Sequence, residues 1–99
     1  MSRSTRWWTS GDWAAPGAIA VRRGKVVGAA HLLTDGHHGY LTFLAVAAEH
    51  RRSGIARLLV EAAFRSSGAE RIDLLSTSQS NPFYDSLPHT RFDGFRLYP

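Results

Sequence analysis

The chain has 99 residues, 43% of them hydrophobic and 20% charged, a formal charge of +4, and no cysteine. This is the composition of a single small globular domain, and it excludes a disordered chain, a disulfide scaffold, a thiolate nucleophile and any cysteine zinc site. The positive charge favours anionic partners, among which a phosphorylated cofactor and nucleic acid are both candidates.

Residues 1–17 show no clear period and carry Trp7, Trp8 and Trp13. They read as an irregular arm whose rings cover either the domain's own apolar face or that of a partner. The basic start runs into Trp7-Trp8 rather than an apolar stretch, and no apolar run approaches the ~18 residues that span a bilayer. A soluble, cytoplasmic protein with no membrane partner is expected.

The domain proper is expected over 18–99. Residues 18–23 read as a strand, Gly24-Lys25 as a hairpin turn, and 26–33 as a second strand. A turn over 34–38 leads to a third strand over 39–46, apolar on both faces and therefore central to a sheet. An amphipathic helix is predicted over 53–66, with Ile55, Leu58, Leu59, Ala62 and Ala63 on its buried face and Gly68 as its stop. Residues 71–75 return as a strand, parallel to the third because a helix intervenes. Ser80 or Asn81 caps a short helix with Pro82 at its first position, and Pro88 ends it. The tail over 90–98 alternates enough for a closing strand, either as a small hairpin at Asp93-Gly94 or as one longer piece. The expected class is α+β: three antiparallel strands, a helix, a parallel strand, a short helix and closing strand(s).

One stretch carries chemistry. Between the third strand and the long helix lie Arg51, Arg52, Ser53, Gly54, Ile55, Ala56 and Arg57. Free N–H groups and the dipole at a helix start favour a phosphate. Gly54 has no Cβ and Ala56 a minimal one, so a pyrophosphate could approach the main chain, with Arg51, Arg52 and Arg57 at its rim. The same arginines are also readable as a solvated basic face.

The run Arg51-Arg52-Ser53-Gly54-Ile55-Ala56 fits the signature Gln/Arg-x-x-Gly-x-Gly/Ala. With an apolar strand before it, an amphipathic helix after it and the Asn81…Phe83-Tyr84 helix further on, the chain resembles the GNAT N-acetyltransferase superfamily over residues 18–99. The resemblance implies acetyl-coenzyme A as cosubstrate and an amine, on a small molecule or a protein, as acceptor. It implies that the pantetheine arm bonds the backbone of Leu44, Ala45 and Val46, and that the pyrophosphate sits on the amides from Arg51 or Arg52 to Arg57. It further implies that Tyr84 protonates the departing thiolate, that Asn81 touches the cofactor, and that a backbone N–H near Val46 steadies the oxyanion formed by direct attack.

The chain departs from the family pattern at its start, where the usual first strand and two helices are missing, and at Pro88, where a glycine is usual. Either a homodimer partner supplies the missing wall or the acceptor groove is open, and a partner would also help a core that is marginal at this length. Tyr84 is alternatively a core tyrosine with its hydroxyl at the surface. Glu49 reads as a solvated loop residue or a base, and His31 as a satisfied sheet histidine or a group reaching the acceptor side through water. His37-His38 point different ways and bring no further ligand, so no metal is expected. Two other functions stay open at this point. One is a coenzyme A-binding module without catalysis; the other is a basic nucleic-acid-binding domain, for which no helix-turn-helix, zinc-finger or aromatic RNA-sheet signature is present.

Overall fold

A computed structural model describes residues 5–10 and 17–99, with side chains from Gly17 onward. Strands β2 (Gly17–Arg22) and β3 (Lys25–Thr34) form a hairpin whose last pair is Arg22↔Lys25. The turn is therefore Arg23-Gly24, one residue earlier than expected. Both residues have positive φ, 51° and 77°, as the hairpin turn matching strand twist requires. The next turn is held by side chains: Asp35 Oδ1 accepts from the amides of His37 and His38, both at 2.8 Å, and Thr34 Oγ1 donates to the His38 carbonyl at 2.8 Å.

Strand β4 (His38–Val46) pairs antiparallel with β3, and the register skips at Thr42: His31 faces Phe43 while Leu32 faces Leu41. This β-bulge shifts the inward face of the strand. Gly39 and Leu41 point into the core before it, and Leu44 and Val46 after it, with Thr42 and Phe43 both exposed between them.

The long helix, α1 (Ile55–Ser67), begins after Gly54 and ends at Gly68, whose φ of 67° and N–H to the Phe64 carbonyl close it. It buries Ile55, Leu59, Ala62 and Ala63 over β2 and β3. Gly28 of β3 permits this approach, because a Cβ there would lie 3.0 Å from Leu59 Cδ1 and 3.1 Å from Ile55 Cγ2. Leu58, expected in the buried stripe, is 42% exposed. It lies about 100° from Leu59 around the axis, and a stripe seated on alanines and glycine is narrow. The core is centred on Leu32, Ile55 and Leu59, and among the described residues it holds no polar side chain.

The chain then returns as β5 (Arg71–Asp73), parallel to β4 as expected, giving a five-stranded sheet in the order β1-β2-β3-β4-β5. Its first member, β1 (Thr5–Ser10), corrects the reading of an irregular arm: it pairs antiparallel with β2, Trp7 opposite Ala20 and Trp8 opposite Ile19. Thr and Trp suit a strand, but the free edge of β2 that recruits them exists only once the hairpin has formed. The tryptophan side chains, and Trp13 altogether, lie outside the described residues.

After a turn the short helix α2 (Asn81–Asp85) forms, with Pro82 in its first turn. The closing strand expected over 90–98 does not form; the tail joins no ladder, with Phe95 85% and Leu97 87% exposed. Apolar residues fall on both parities there (Phe92 and Tyr98 on one, Phe95 and Leu97 on the other), so neither face is favoured and no register is specified. The architecture is the expected α+β class with a mixed sheet.

Candidate active site

Two neighbouring features single out the C-terminal end of β4. The first is the loop that follows it. A 3-10 turn (Ala48–His50) leads into Arg51, extended, then Arg52 at φ 64° and Gly54 at φ 84°. A positive φ at a residue other than glycine costs of order 1 kcal/mol or more, so the surrounding bonds must hold it. Arg51 Nε donates to the Val46 carbonyl at 3.2 Å, Ser53 Oγ donates to the His50 carbonyl, and Arg22 Nη1 donates to His50 Nδ1 at 3.3 Å.

Leu58 is the first helix residue to reach back, to the Gly54 carbonyl at 3.1 Å. The N–H groups of Ile55, Ala56 and Arg57 therefore have no partner within the helix, and no side chain caps them. Alternating left-handed residues and a bare helix start present several N–H groups to one concavity. A Cβ on Gly54 would meet nothing within 4 Å, so the main chain there faces open space. Arg52 and Arg57 are exposed beside it, whereas the Arg51 guanidinium is drawn back onto Val46. Glu49 is exposed on the 3-10 turn, as the solvated reading expects.

The second feature is a cleft. β4 and β5 share only the pairs His38↔Arg71, Gly39↔Ile72 and Tyr40↔Asp73, and then part. Residues 41–44 on one side and Leu74, Leu75, Thr77 and Ser80 on the other line an open cleft of about 230 Å³ that Tyr84 also lines. Ala47 N–H bonds the Val27 carbonyl of β3, so strand alternation turns the N–H and C=O of Leu44 and Val46 to the opposite side, along the edge that β5 has left. The Val46 carbonyl is taken by Arg51 Nε, so the Leu44 groups and the Val46 N–H are the ones that can receive an extended ligand as a further strand would.

Tyr84 is half-buried against the core, and burial pushes its phenol above the usual value of 10.0. It therefore keeps its proton at neutral pH. The Phe83 ring stands edge-on to it at 5.0 Å.

Asn81 is placed differently. With its amide turned so that nitrogen and oxygen each meet a complementary group, it donates to Ser76 Oγ and the Thr77 carbonyl and accepts from Arg91 at 3.0 Å. It ties α2 to the preceding turn and to the tail. It lines a larger groove of about 900 Å³ among α1, β5 and the tail, and does not line the cleft beside β4. That groove contains none of residues 42–57, so it does not communicate with the bare helix start through β4.

Sequence reasoning passed over Thr42, Leu74, Leu75, Thr77 and Ser80, because no local pattern marks a bulge or the point where two strands part. His37 and His38 join no group of metal ligands among the described residues. No helix among them is long and apolar enough to cross a membrane.

Residues 1–87 match the model of the acetyltransferase (GNAT) family. No match was found among the curated proteins. Among solved structures, a Deinococcus radiodurans R1 protein classed as an acetyltransferase superposes with a TM-score of 0.81 at 21% identity, over 98% of this chain and 92% of that one. The aminoglycoside acetyltransferase AAC(6')-Iy, solved with a bisubstrate analogue of CoA, gives 0.73 at 18% identity over 87% of this chain and 69% of its own. The ribosomal-protein-alanine N-acetyltransferase of Brucella melitensis gives 0.68 at 18%, over 88% and 71%. At these identities the likenesses show the fold.

Proposed function

The chain belongs to the acetyltransferase (GNAT) family, and on that premise we propose that it transfers an acetyl group from acetyl-coenzyme A directly to an amine on a small molecule or a protein. The observation that carries this reading is the parting of β4 from β5 after three residue pairs, which opens the cleft beside Tyr84 on the strand that leads to the bare start of α1. The residues fit the cosubstrate in kind. The N–H groups from Arg52 to Arg57, with the Arg52 and Arg57 charges, suit a pyrophosphate; the main chain of Leu44 and the N–H of Val46 suit the amides of a pantetheine arm. The cleft is narrow, which suits that arm and leaves the nucleotide at the α1 end. Arg51 contributes by fixing the loop onto the Val46 carbonyl, and Ala45, facing β3, spaces Leu44 from Val46. Asn81 serves by holding α2, and so Tyr84, in place.

Acetyl-coenzyme A supplies an acyl group activated as a thioester. Around it a Val46-side N–H can donate to the carbonyl oxygen as negative charge develops, and Tyr84 donates its phenolic proton to the leaving sulfur. A cytoplasmic setting agrees with the absence of cysteine, and a homodimer would add a wall beside the acceptor.

The test is thermal unfolding with and without acetyl-coenzyme A, on wild type and Gly54→Glu. Ligand at 100 times its Kd adds about 2.7 kcal/mol, roughly 10–20 °C for a domain of this size. A rise in wild type that vanishes in the variant supports the cofactor site; no rise at millimolar ligand sinks it. Binding without acetylation of any amine class would leave a coenzyme A-binding module instead.

A further inference from the structure

The cleft has an acid in Tyr84, but the amine must also lose a proton as it attacks. We propose that Thr42 and His31 form the relay that takes it, the Thr42 hydroxyl accepting the amine proton while passing its own to His31 Nδ1. The proposal rests on the acetyl-transfer reading of the same cleft.

Thr42 is the residue the β4 bulge leaves without a partner on β3, and it lines the cleft together with Tyr84. A bulge next to a site re-aims a side chain that a regular ladder would hold elsewhere. The Thr42 oxygen lies 2.6 Å from His31 Nδ1 and 3.1 Å from the His31 carbonyl oxygen. A hydroxyl has one proton and two lone pairs, so these two contacts define two states. With the proton on the carbonyl, the ring must donate through Nδ1. With the proton turned to an unprotonated Nδ1, the oxygen keeps a lone pair for a donor entering the cleft that Thr42 lines. Both acceptors belong to one residue, so the switch is a rotation about the Thr42 Cβ–Oγ bond coupled to a change of imidazole tautomer.

The ring is held for this role. His31 is partly buried, and Phe43 stands edge-on to it at 6.3 Å. The residues registered beside it, Gly17 on β2 and Phe43 on β4, carry no charge. Of titratable groups near by, Tyr40 lies further along β4 opposite Leu33, and Tyr84 shares the cleft with Thr42. Nε2 has no hydrogen-bond partner among the described residues and can exchange its proton with solvent.

The step balances. As the amine nitrogen bonds the thioester carbon and the carbon–sulfur bond breaks, one N–H proton moves to Thr42 Oγ1 and the Thr42 proton moves to Nδ1. Tyr84 gives its proton to the sulfur, and the imidazolium restores the phenol through solvent. One proton leaves the amine and one arrives on the thiol.

The test uses Thr42→Val, Thr42→Ser and His31→Gln, with kanamycin, spermidine and an alanine-initiated peptide as amine probes. Thiol release from acetyl-coenzyme A is followed across pH, beside the thermal shift with the same ligand. Thr42→Val and His31→Gln should each lower kcat about 100-fold with the thermal shift intact, and Thr42→Ser should recover most of the rate. The acid limb of the wild-type profile should be missing in His31→Gln. An unchanged limb in that variant, or full turnover in Thr42→Val, overturns the relay. No thermal shift in wild type removes the cofactor site and the relay with it. A shift without turnover on any probe overturns the relay and the transfer reading but leaves the cofactor site standing.

Discussion

The two neighbouring parts of the site, the loop before α1 and the cleft at Tyr84, are built by different physics. The α1 end is mostly consecutive chain: residues 46–57 set its φ angles, and its bonds from Arg51 to Val46 and from Ser53 to His50 span only a few positions. Arg22 of β2 reaches it from outside through His50. The Tyr84 end is assembled from residues 41–44, 74–80 and 84, which meet because α1 carries the chain from one side of the sheet to the edge beside β4. One end therefore belongs to a local backbone conformation and the other to the packed sheet. Substitutions should separate them.

The largest effect is expected at the Tyr84 end. Tyr84→Phe should lower kcat by about 10²–10⁴-fold while the acetyl-coenzyme A thermal shift stays as in wild type; equal loss of both would mean the two ends are not separable. Leu59→Ala removes the side chain that seats α1 on Gly28, and should cost about 2–5 kcal/mol of stability by denaturant unfolding. Both ends should fail together in that variant as it melts. Gly54→Glu should remove the ~2.7 kcal/mol of ligand stabilisation seen in a melting scan. It should also cost about 1 kcal/mol without ligand, because a side chain is strained at φ 84°.

The pH responses are smaller. Burial holds the Tyr84 phenol above 10.0, so the folded state keeps a proton that the unfolded chain loses first. That contribution is intact below pH 10 and is lost as pH rises through the raised value, and Tyr84→Phe should flatten the alkaline decline in melting temperature. Asp35 is the opposite case: the His38 and His37 amides hold its carboxyl below 3.8, so its contribution is present above that value and is lost on acidification. Asp35→Asn should lessen the acid-side decline slightly, and it should leave ligand binding untouched because the β3–β4 turn lies at the far end of β4.

Much of this was legible from residues alone. Gly68 stopped the helix where expected, and Gly54 marked a loop of positive φ that opens an uncapped helix start. The parallel return of β5 followed from the helix between it and β4. The neighbours of Asn81 were not legible, because a position on a short helix says nothing of which group the side chain will satisfy; here Ser76, Thr77 and Arg91 take it. Leu58 was misjudged because helical periodicity gives a face but not its width, and the width depends on what the face meets.

By itself, then, the sequence determined the strand–loop–helix unit around residues 46–57, since the φ preferences of glycine, the capping positions and the apolar period are properties of neighbouring residues. Tertiary structure decided the rest. It made β1 out of an arm by offering the edge of β2, and left the tail out of the sheet by offering no single face to bury. It set Thr42 beside the cleft, unpaired, through a bulge against β3, and it parted β4 from β5 beside Tyr84. Each of these turns on which main-chain groups find a partner across the sheet, and that is known only when distant strands have met.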